Sequence, residues 1–524
     1  MAWTRPALGG ILTAATHGLA GPWLVGCAPA PGLPVDRFPT DSGPARDTGP
    51  AGEDSDPGWE LGTASGCADP VPASWRDASD LLDRSTLAEG RPQHGGLVVT
   101  PHGDTWLIAG TFGIRDVGVW SLDGAFSTLA PGSRPAVHAV SHDIDGDGRL
   151  DLFTMGDHLE VRWDWTTLES PVVPLSAGAE WTSHQDVSVV DIDGDGQTEL
   201  LLGVWRDRWS GLERWDVVRG MEPLQARGTV LADTGTVFDQ VVLDFNGDGA
   251  PDVYTCNDTG AEHGGNTMLL NDGAGGLVEA TPPGAGLVMD CMSVSAGDVN
   301  GDGQLDLLLS GLARTALLIA TEDGYVDVAR AWGIEMPSWE KMDWGSDIVD
   351  LDNDGLPDII VNRSGFSPED PGTAPPDVLR QSAPGVLQPA PWGISPPRST
   401  RNTVTVDLNN DGVLDIVYLM LDGAPELYLS EGCTPGAWLE IDAPEGTIAR
   451  VEAGGRTWAM PVTGQPGFGA SRPTLAHIGL GDVDVIDRVT LAVPWRSRPV
   501  VLNGPVQPRQ RLRWRAGEAD ARTP

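Results

Sequence analysis

The sequence predicts an all-β protein, and three observations carry this prediction. A nine-residue acidic pattern occurs six times, its copies begin 48 to 57 residues apart, and short apolar runs flank the copies. The runs Val187–Val190 and Leu200–Leu202, on either side of the second copy, have the length and composition of β-strands. Each copy of the pattern is therefore predicted to be a loop that joins two strands of a hairpin.

The acidic pattern carries the oxygen ligands that calcium prefers. Asp or Asn stands at positions 1, 3 and 5, and the glycine at position 6 allows the tight turn that brings these side chains together. The carbonyl of position 7 and the acid at position 9 would complete an all-oxygen shell, which suits Ca²⁺ better than Mg²⁺. No Cys or His lies inside a loop, which argues against zinc or copper. The expected ligands of up to six Ca²⁺ ions are Asp143, Asp145, Asp147, Arg149 and Asp151 (loop 1); Asp191, Asp193, Asp195, Gln197 and Glu199 (loop 2); Asp244, Asn246, Asp248, Ala250 and Asp252 (loop 3); Asp298, Asn300, Asp302, Gln304 and Asp306 (loop 4); Asp350, Asp352, Asp354, Leu356 and Asp358 (loop 5); Asp407, Asn409, Asp411, Val413 and Asp415 (loop 6).

Two other interpretations of the loops are weaker. Asp- and Gly-rich stretches are often simple turns, but six copies with one ligand spacing are hard to explain in that way. An EF-hand loop shares positions 1, 3, 5 and 6 but needs a glutamate at position 12. That position holds no acid in any copy: it is Thr154, Leu202, Thr255, Leu309, Val361 and Tyr418.

The spacing of the loops predicts the architecture. About fifty residues hold four short strands with their turns, which is the content of one propeller blade. The stretch Leu97–Gly110 has the same pattern of strands but keeps only Gly103 and Asp104 of the acidic loop. Counting it as a degenerate first copy, we expect a seven-bladed β-propeller, because a closed ring leaves no long free sheet edge.

These repeats resemble the FG-GAP/VCBS repeats of integrin-like propellers, which implies calcium binding. The residues after Cys433 lack acidic loops, and their order of short strands, including Gly467–Ser471 and His477–Gly481, resembles the ASPIC/UnbV domain. The combination is similar to the cartilage acidic protein family and implies a small C-terminal β domain after the propeller. The sequence departs from the family pattern at Val493–Arg496, where Val-Pro-Trp-Arg replaces Trp-Pro-x-Gly.

The N-terminus is typical of a bacterial lipoprotein. Residues 1–26 read as a signal peptide that ends Leu-Val-Gly before Cys27, the expected lipidation site; an ordinary cleaved signal is the alternative. Residues 27–90 are rich in Pro, Gly and Asp and are expected to be a disordered tether, with a short helix from Trp75 to about Leu87. The predicted order continues with the propeller at 91–432, the C-terminal β domain at 433–516 and a tail at 517–524. We expect an exported protein, anchored by lipid in the bacterial cell envelope at the outer membrane or cell surface.

Four further cysteines fit an exported protein. Cys256 follows the loop 3 hairpin and Cys291 precedes the loop 4 hairpin, so neighbouring blades would bring them together in a disulfide. Cys67 and Cys433 flank the propeller and would tie its ends. Four buried thiols without disulfides are the alternative.

The charge limits the possible partners. The chain holds 75 acidic against 33 basic residues, a net charge of −42, so nucleic acid and anionic membranes would be repelled. Contact with a membrane is then expected only through lipidated Cys27, and the protein is expected to be a monomer. No serine-hydrolase elbow, phosphate loop or zinc-protease motif is present, so we predict no enzyme.

Three functions compete. The favoured one is a calcium-stabilised, anchored module that binds a protein or polysaccharide in adhesion. The second is a calcium-dependent, polysaccharide-cleaving propeller enzyme, which would need a basic or tyrosine residue beside a metal loop; the third is an envelope scaffold. His138, His142 and His184 adjoin the first two loops and would face the channel or its rim. A tryptophan cluster is expected to pack the blades, with a sugar- or peptide-binding platform as the alternative; its members are Trp163, Trp165, Trp181, Trp205, Trp209 and Trp215.

Overall fold

The computed structural model confirms an all-β fold. It describes residues 58–63, 71–82, 95–103, 105–111, 117–129, 136–156, 159–175, 183–205, 211–217, 219, 229–334, 341–365, 374–421 and 423–515. The predicted signal peptide, Cys27, Cys67 and Asp104 lie outside these residues. None of the helices in the described residues has the length and apolar character needed to cross a membrane.

Two strands precede the propeller in the described residues. β1 (Trp59–Leu61) pairs with the last strand of the chain, and β2 (Trp75–Asp77) pairs with Glu426–Ser430 in the last blade. The prediction of a disordered tether is wrong for these two segments, because each finds hydrogen bonds along an open sheet edge. The helix expected from Trp75 is also wrong at its start, where β2 is followed by a 3-10 turn at Ser79–Leu81.

Seven sheets of one pattern follow within the described residues, and we number them as blades. Blade 1 corresponds to the degenerate copy and turns at Gly103. Besides the 3-10 turn at Ser79–Leu81, the helices within the described ranges are α1 (Gly260–His263), α2 (Ala329–Trp332) and a 3-10 turn at Trp165–Thr167. The strands are β3 (Leu97–His102), β4 (Thr105–Thr111), β5 (Val117–Ser121) and β6 (Phe126–Thr128) in blade 1; β7 (Ala136–His142), β8 (Asp151–Gly156), β9 (Leu159–Arg162) and β10 (Val173–Pro174) in blade 2; β11 (Ser183–Val190), β12 (Glu199–Trp205), β13 (Gly211–Asp216) and β14 (Thr229–Ala232) in blade 3; β15 (Thr236–Leu243), β16 (Asp252–Asp258), β17 (Thr267–Asn271) and β18 (Leu277–Glu279) in blade 4; β19 (Cys291–Gly297), β20 (Asp306–Gly311), β21 (Arg314–Thr321) and β22 (Gly324–Asp327) in blade 5; β23 (Lys341–Val349), β24 (Asp358–Gly365), β25 (Asp377–Ala383) and β26 (Val386–Pro389) in blade 6; β27 (Thr400–Val406), β28 (Asp415–Met420) and β29 (Glu426–Ser430), with β2, in blade 7.

The blades close into a ring. The first strand of each blade contacts the first strand of the next blade, and β27 contacts β3 across the closure. The inner strands of blades 2 to 7 share a second feature: each has an irregularity in its pairing near its start. Such β-bulges re-aim the side chain of the extra residue. The bulges therefore place one ring of side chains around the channel, away from the acidic loops, which follow the ends of the same strands.

The C-terminal domain consists of two four-stranded sheets packed around one apolar core. One sheet has the order β1-β37-β30-β34, so the N-terminal strand β1 is part of this domain. The other sheet has the order β32-β31-β35-β36. Besides β1, the strands of these sheets are β30 (Ala437–Asp442), β31 (Ile448–Ala453), β32 (Arg456–Pro461), β34 (Ala476–Gly481), β35 (Ile486–Ala492), β36 (Val500–Val506) and β37 (Gln510–Trp514). The short strand β33 (Ala470–Ser471) joins the sheet of blade 1 instead.

A disulfide joins blades 4 and 5. Cys256 in β16 and Cys291 in β19 have Cα atoms 5.3 Å apart, and this is the pairing that the sequence predicts. Cys433, between the propeller and the C-terminal domain, is also disulfide-bonded. Its predicted partner, Cys67, lies outside the described residues.

Candidate functional site

Each acidic loop connects the first two strands of a blade, in blades 2 to 7. The glycine at position 6 has a φ of 82° to 93° in all six loops, as the predicted tight turn requires. Position 4 is also left-handed in every loop, and in loops 5 and 6 it is occupied by Asn353 and Asn410 rather than glycine. Asparagine tolerates this conformation better than most side chains, so the loop shape survives the substitution.

The acids at positions 1 and 9 hold each loop in shape through backbone amides. In loop 4, Asp298 accepts hydrogen bonds from the N–H groups of Gly301 and Gly303, at 2.8 and 2.9 Å. Asp306 accepts from Val299 at 2.9 Å and from Ala320, in the third strand, at 2.8 Å. Asp306, the first residue of the second strand, therefore links the loop to the third strand of its blade, and the acid at position 9 is buried in all six loops.

The acids converge in the three loops that have aspartate at position 3. Their carboxylate oxygens lie within 4.8 Å of one another in loops 1, 2 and 5, the distance expected of groups that could share one cation. The members are Asp143, Asp145 and Asp151; Asp191, Asp193, Asp195 and Glu199; and Asp350, Asp352 and Asp358. This donor set of hard oxygens fits Ca²⁺. The predicted position 7 residues lie in the same turns, where each N–H donates to the acid at position 5.

An arginine accompanies each of these three loops. Arg219 contacts Asp145 and Asp147 in loop 1, and Arg214 contacts Asp193 in loop 2. Arg380 contacts both Asp352 and Asp354 in loop 5 at 2.6 Å. These arginines could not be recognised from the sequence, because they lie 21 to 74 residues from the acids they contact and follow no fixed spacing.

The other three loops have asparagine at position 3, and its amide takes a similar place. The Nδ2 group donates to the position 5 carboxylate from Asn246, Asn300 and Asn409, at 2.9, 3.0 and 3.1 Å. In loops 1, 2 and 5, the additional carboxylate at position 3 is thus paired with an arginine. In loops 3, 4 and 6, an asparagine amide stands in the place of that carboxylate. The loops of both kinds are left with a similar excess of negative charge.

Burial perturbs the acids of the loops. It raises the pKa of Asp252, Asp306 and Asp415, all at position 9, to about 7, and like-charged neighbours in the loop add to the rise. Backbone hydrogen bonds oppose this shift in each case. A carboxylate ionises with difficulty in such a place unless a cation is near, so a cation bound in a loop would lower the pKa of these acids.

The C-terminal domain lies directly on the loops. The indole N–H of Trp495 donates to the carbonyl of Asp191 in loop 2 at 2.7 Å, and the backbone N–H of Trp495 donates to Gly249 in loop 3 at 2.7 Å. Arg450 donates to the carbonyl of Gly303 in loop 4 at 3.1 Å. Trp458 donates to the carbonyl of Gly355 in loop 5 at 3.1 Å. Val-Pro-Trp-Arg, where the sequence departs from the family pattern, is thus a contact between the two domains.

One segment of the C-terminal domain fills the channel of the propeller. We call residues 463–475 the axial loop; a bridge between Thr463 and Leu475 closes its base. Its tip, Phe468, is fully buried, and its backbone N–H donates to Ser293 Oγ at 3.1 Å. Beyond the tip, β33 pairs in parallel with Leu97 and Val98 of β3. Since Ser293 and Leu97 stand near the starts of their strands, the axial loop runs the length of the channel from the side of the acidic loops.

His138 and three of the six tryptophans are buried in the propeller. His138 lies on an inner strand 5.9 Å from the ring of Phe468, and burial lowers its pKa to about 4, so it is neutral. Trp163, Trp165 and Trp215 are buried in the blades, as expected of packing residues. Trp181 and Trp209, and the side chains of His184 and Trp205, lie outside the described part of the structure.

Comparison with known proteins gives matches in both parts of the chain. The model of the FG-GAP-like repeat matches residues 143–202, 244–309 and 350–418, and each match spans two acidic loops. The model named ASPIC and UnbV matches residues 443–521. A search of curated proteins found no match.

The solved structures that match this chain include three whose own chains are covered over most of their length. An Agrocybe aegerita lectin that recognises non-reducing terminal N-acetylglucosamine is 17% identical with a TM-score of 0.38, over 57% of this chain and 80% of that chain. BBS1N, solved in complex with ARL6DN, is 12% identical with a TM-score of 0.45, over 68% and 98%. The WD40 β-propeller domain of Doa1 is 13% identical with a TM-score of 0.38, over 68% and 97%. The family matches and the sheets together identify the chain as an FG-GAP repeat β-propeller followed by an ASPIC/UnbV domain.

Proposed function

We propose that the protein is a calcium-stabilised binding module, held by lipid at Cys27 in the bacterial cell envelope. The observation that carries this proposal is the convergence of carboxylates in loops that the C-terminal domain covers. Calcium in such loops would neutralise the acids and fix the hairpin ends on which the second domain rests. The face opposite to the loops is then the surface left for a protein or polysaccharide partner.

The disulfides support export. Cys256 and Cys291 are bonded, and Cys433 is bonded as well. Structural disulfides persist in oxidising compartments and are rare in the cytosol. The excess of acidic residues would repel phosphate groups, so the partner is neither nucleic acid nor an anionic membrane surface.

The polysaccharide-cleaving alternative finds less support. It needs a tyrosine or a basic residue beside a metal loop that is available to a substrate. Tyr254, Tyr418 and Tyr428 are buried in the blades, and burial raises the pKa of each phenol. The arginines that contact loops 1, 2 and 5, Arg219, Arg214 and Arg380, are paired with the acids of those loops. Lys341 is the first residue of β23, at the end of the strand away from loop 5. A screen on uronate polysaccharides tests this alternative. Detection of new reducing ends or unsaturated sugars would reveal activity and overturn the binding proposal.

Calcium titration and capture from cell-surface fractions test the proposal itself. We expect calorimetry of metal-stripped protein to give up to six Ca²⁺ per chain, since each loop offers one oxygen shell. We also expect immobilised protein to retain a cell-surface component in calcium and to release it in chelator. Absence of bound calcium after equilibration at millimolar concentration would contradict the metal assignment. Retention that is identical in chelator would show that the loops do not support binding.

The pH dependence of the metal-free protein should be opposite to that of the calcium form. The folded-state pKa of acids such as Asp252 and Asp306 lies near 7, above the usual value of 3.8, so the folded state holds more protons than the unfolded state. This contribution is complete below pH 3.8 and is lost as the pH rises through about 7. In chelator, the melting temperature should therefore rise between pH 8 and pH 6. In calcium, protons compete with the metal for the carboxylates, so the melting temperature should fall between pH 8 and pH 6. Parallel trends in the two series would contradict the prediction.

A further inference from the structure

We propose that the mouth of the propeller channel, on the face opposite to the acidic loops, binds an organic carboxylate through Arg401. The proposed function leaves the chemistry of the partner on this face unnamed. An organic carboxylate supplies that chemistry, and in this respect the site rests on the proposed function. Three observations carry it: the position of Arg401 in a ring of bulge residues, the lack of an acceptor for its guanidinium among the residues that the structure describes, and the way in which Trp344 holds that group.

Arg401 belongs to the ring of side chains that the bulges aim into the channel. The pairing of β27 with β28 shifts between Thr400 and Asn402, which makes Arg401 the extra residue. The corresponding shifts in β15, β19 and β23 fall at Phe238, Met292 and Trp344. Phe238, Met292 and Phe468 form an apolar cluster at this point. Arg401 therefore brings a positive charge to the part of the ring that Phe238, Met292 and Trp344 make apolar.

The charge of Arg401 has no counter-charge in the described residues. The side chain is only 5% exposed, yet it forms no hydrogen bond or ion pair there, and its Nε is buried without an acceptor. Arg162, equally buried in the described part of the chain, donates to Thr154 Oγ1 at 3.2 Å and has Glu160 nearby. Burial lowers the pKa of the Arg401 guanidinium to about 9, which leaves the group cationic at neutral pH. A buried unpaired cation is costly, so its retention in a chain with 75 acids points to a partner from outside.

Trp344 holds the guanidinium over the face of its indole ring. The guanidinium carbon lies 3.2 Å from the centroid of the Trp344 ring and 5.3 Å from that of Phe468. A hydrogen bond of 2.5 Å from Trp344 Nε1 to Ser364 Oγ fixes the indole. When the flat face of a guanidinium stacks on an aromatic ring, its N–H groups point outward in the plane of the group and remain available to an acceptor. A carboxylate matches this edge with two parallel hydrogen bonds.

The surroundings favour a monoanion with an apolar body. Phe238, Met292 and Met342 would contact the carbon skeleton of such a ligand, and Trp344 and Leu312, which are half-buried, border the ring on its solvent side. Inorganic phosphate would gain nothing from these apolar contacts and carries more charge into a strongly acidic protein. A carboxylate is also the group by which uronate sugars and the C-terminus of a peptide would be recognised.

Calorimetry with benzoate, its neutral analogue benzamide and inorganic phosphate tests the site. The titrations are made on the full chain in saturating calcium, so the state of the loops is constant. We expect benzoate to bind and the other two probes to bind at least tenfold more weakly. Arg401→Met, which keeps the length of the side chain, should lose at least tenfold in benzoate affinity, and Arg401→Lys should lose part of it because it lacks the planar fork. The control Arg314→Met removes an exposed arginine paired with Asp327 and should bind benzoate as the wild type does.

The stability of Arg401→Met separates a binding role from a structural one. If Arg401 serves a ligand, the ligand-free variant should melt at or above the wild-type temperature, because a buried unpaired charge is removed. A marked fall in melting temperature, benzoate binding that survives Arg401→Met, or a preference for phosphate would each overturn the proposal. Those outcomes would leave calcium binding by the loops untouched, whereas loss of calcium binding with benzoate affinity intact would contradict only the metal assignment.

Discussion

Chelation of calcium is expected to lower the melting temperature of the protein by more than about 10 °C. Six acidic loops lie at one end of the ring, the carboxylates converge in three of them, and the position 9 acid is buried in all six. One site filled at a hundred times its dissociation constant adds about 2.7 kcal/mol to stability. Since the C-terminal domain rests on the same loops, loss of the metal should weaken the contact between the domains as well. Differential scanning calorimetry in calcium and in excess chelator measures the effect.

A pair of variants in loop 5 makes this prediction specific. Asp350→Ala removes an acid that is buried and shapes the loop by accepting from the N–H of Gly355 at 2.7 Å, so this variant should bind one calcium fewer than the wild type. Asp352→Asn is the matched control, because asparagine stands at the same position in three other loops, for example as Asn300. The control should keep its calcium with reduced affinity. Equal melting temperatures in calcium and in chelator for the wild type would refute the role of metal in stability.

The loops could be predicted from sequence because everything they need is local. Nine consecutive residues supply the acids, the turn and the start of the outgoing strand, and their recurrence reveals the blade. Asp298, for instance, accepts hydrogen bonds from Gly301 and Gly303 within the loop itself. The disulfide between Cys256 and Cys291 was predictable for a related reason, since consecutive blades are neighbours in a ring.

The contacts between distant segments could not be predicted in this way. Phe468 meets Ser293 across 175 residues of sequence, and Trp75 donates to the carbonyl of Leu414 across 339. No periodicity in the sequence links the two members of such a pair, because the closure of the ring is what brings them together. The same holds for the bulge that turns Arg401 into the channel, since the strand pattern of Thr400–Val406 reads as regular. The segment before the propeller looked disordered because its two strands have no sheet of their own.

Replacing Phe468 by alanine should destabilise the protein by about 3–5 kcal/mol and loosen the C-terminal domain. The ring is fully buried in the channel, 4.7 Å from the ring of Phe238, and the chain on either side of it is bonded to the walls. Asn402 Nδ2 donates to the carbonyl of Gly469 at 2.8 Å, and Arg472 forms an ion pair with Asp347 at 3.1 Å. Removal of the ring leaves a cavity among rigid inner strands, which cannot collapse to fill it.

The expected signature of Phe468→Ala is a change in cooperativity as well as a lower melting temperature. The axial loop contacts the inner strands of several blades, so it couples the unfolding of the C-terminal domain to that of the ring. Without Phe468, calorimetry should resolve two transitions, and limited proteolysis should cut between the domains before it cuts within them. Val485→Ala, which shortens a side chain in the same domain that is 40% exposed, is the control and should change stability by less than about 0.5 kcal/mol. If the phenylalanine variant unfolded in a single transition at the wild-type temperature, the axial loop would be a passive occupant of the channel. The coupling of the two domains would then have to come from the contacts of Trp495, Trp458 and Arg450 with the acidic loops alone.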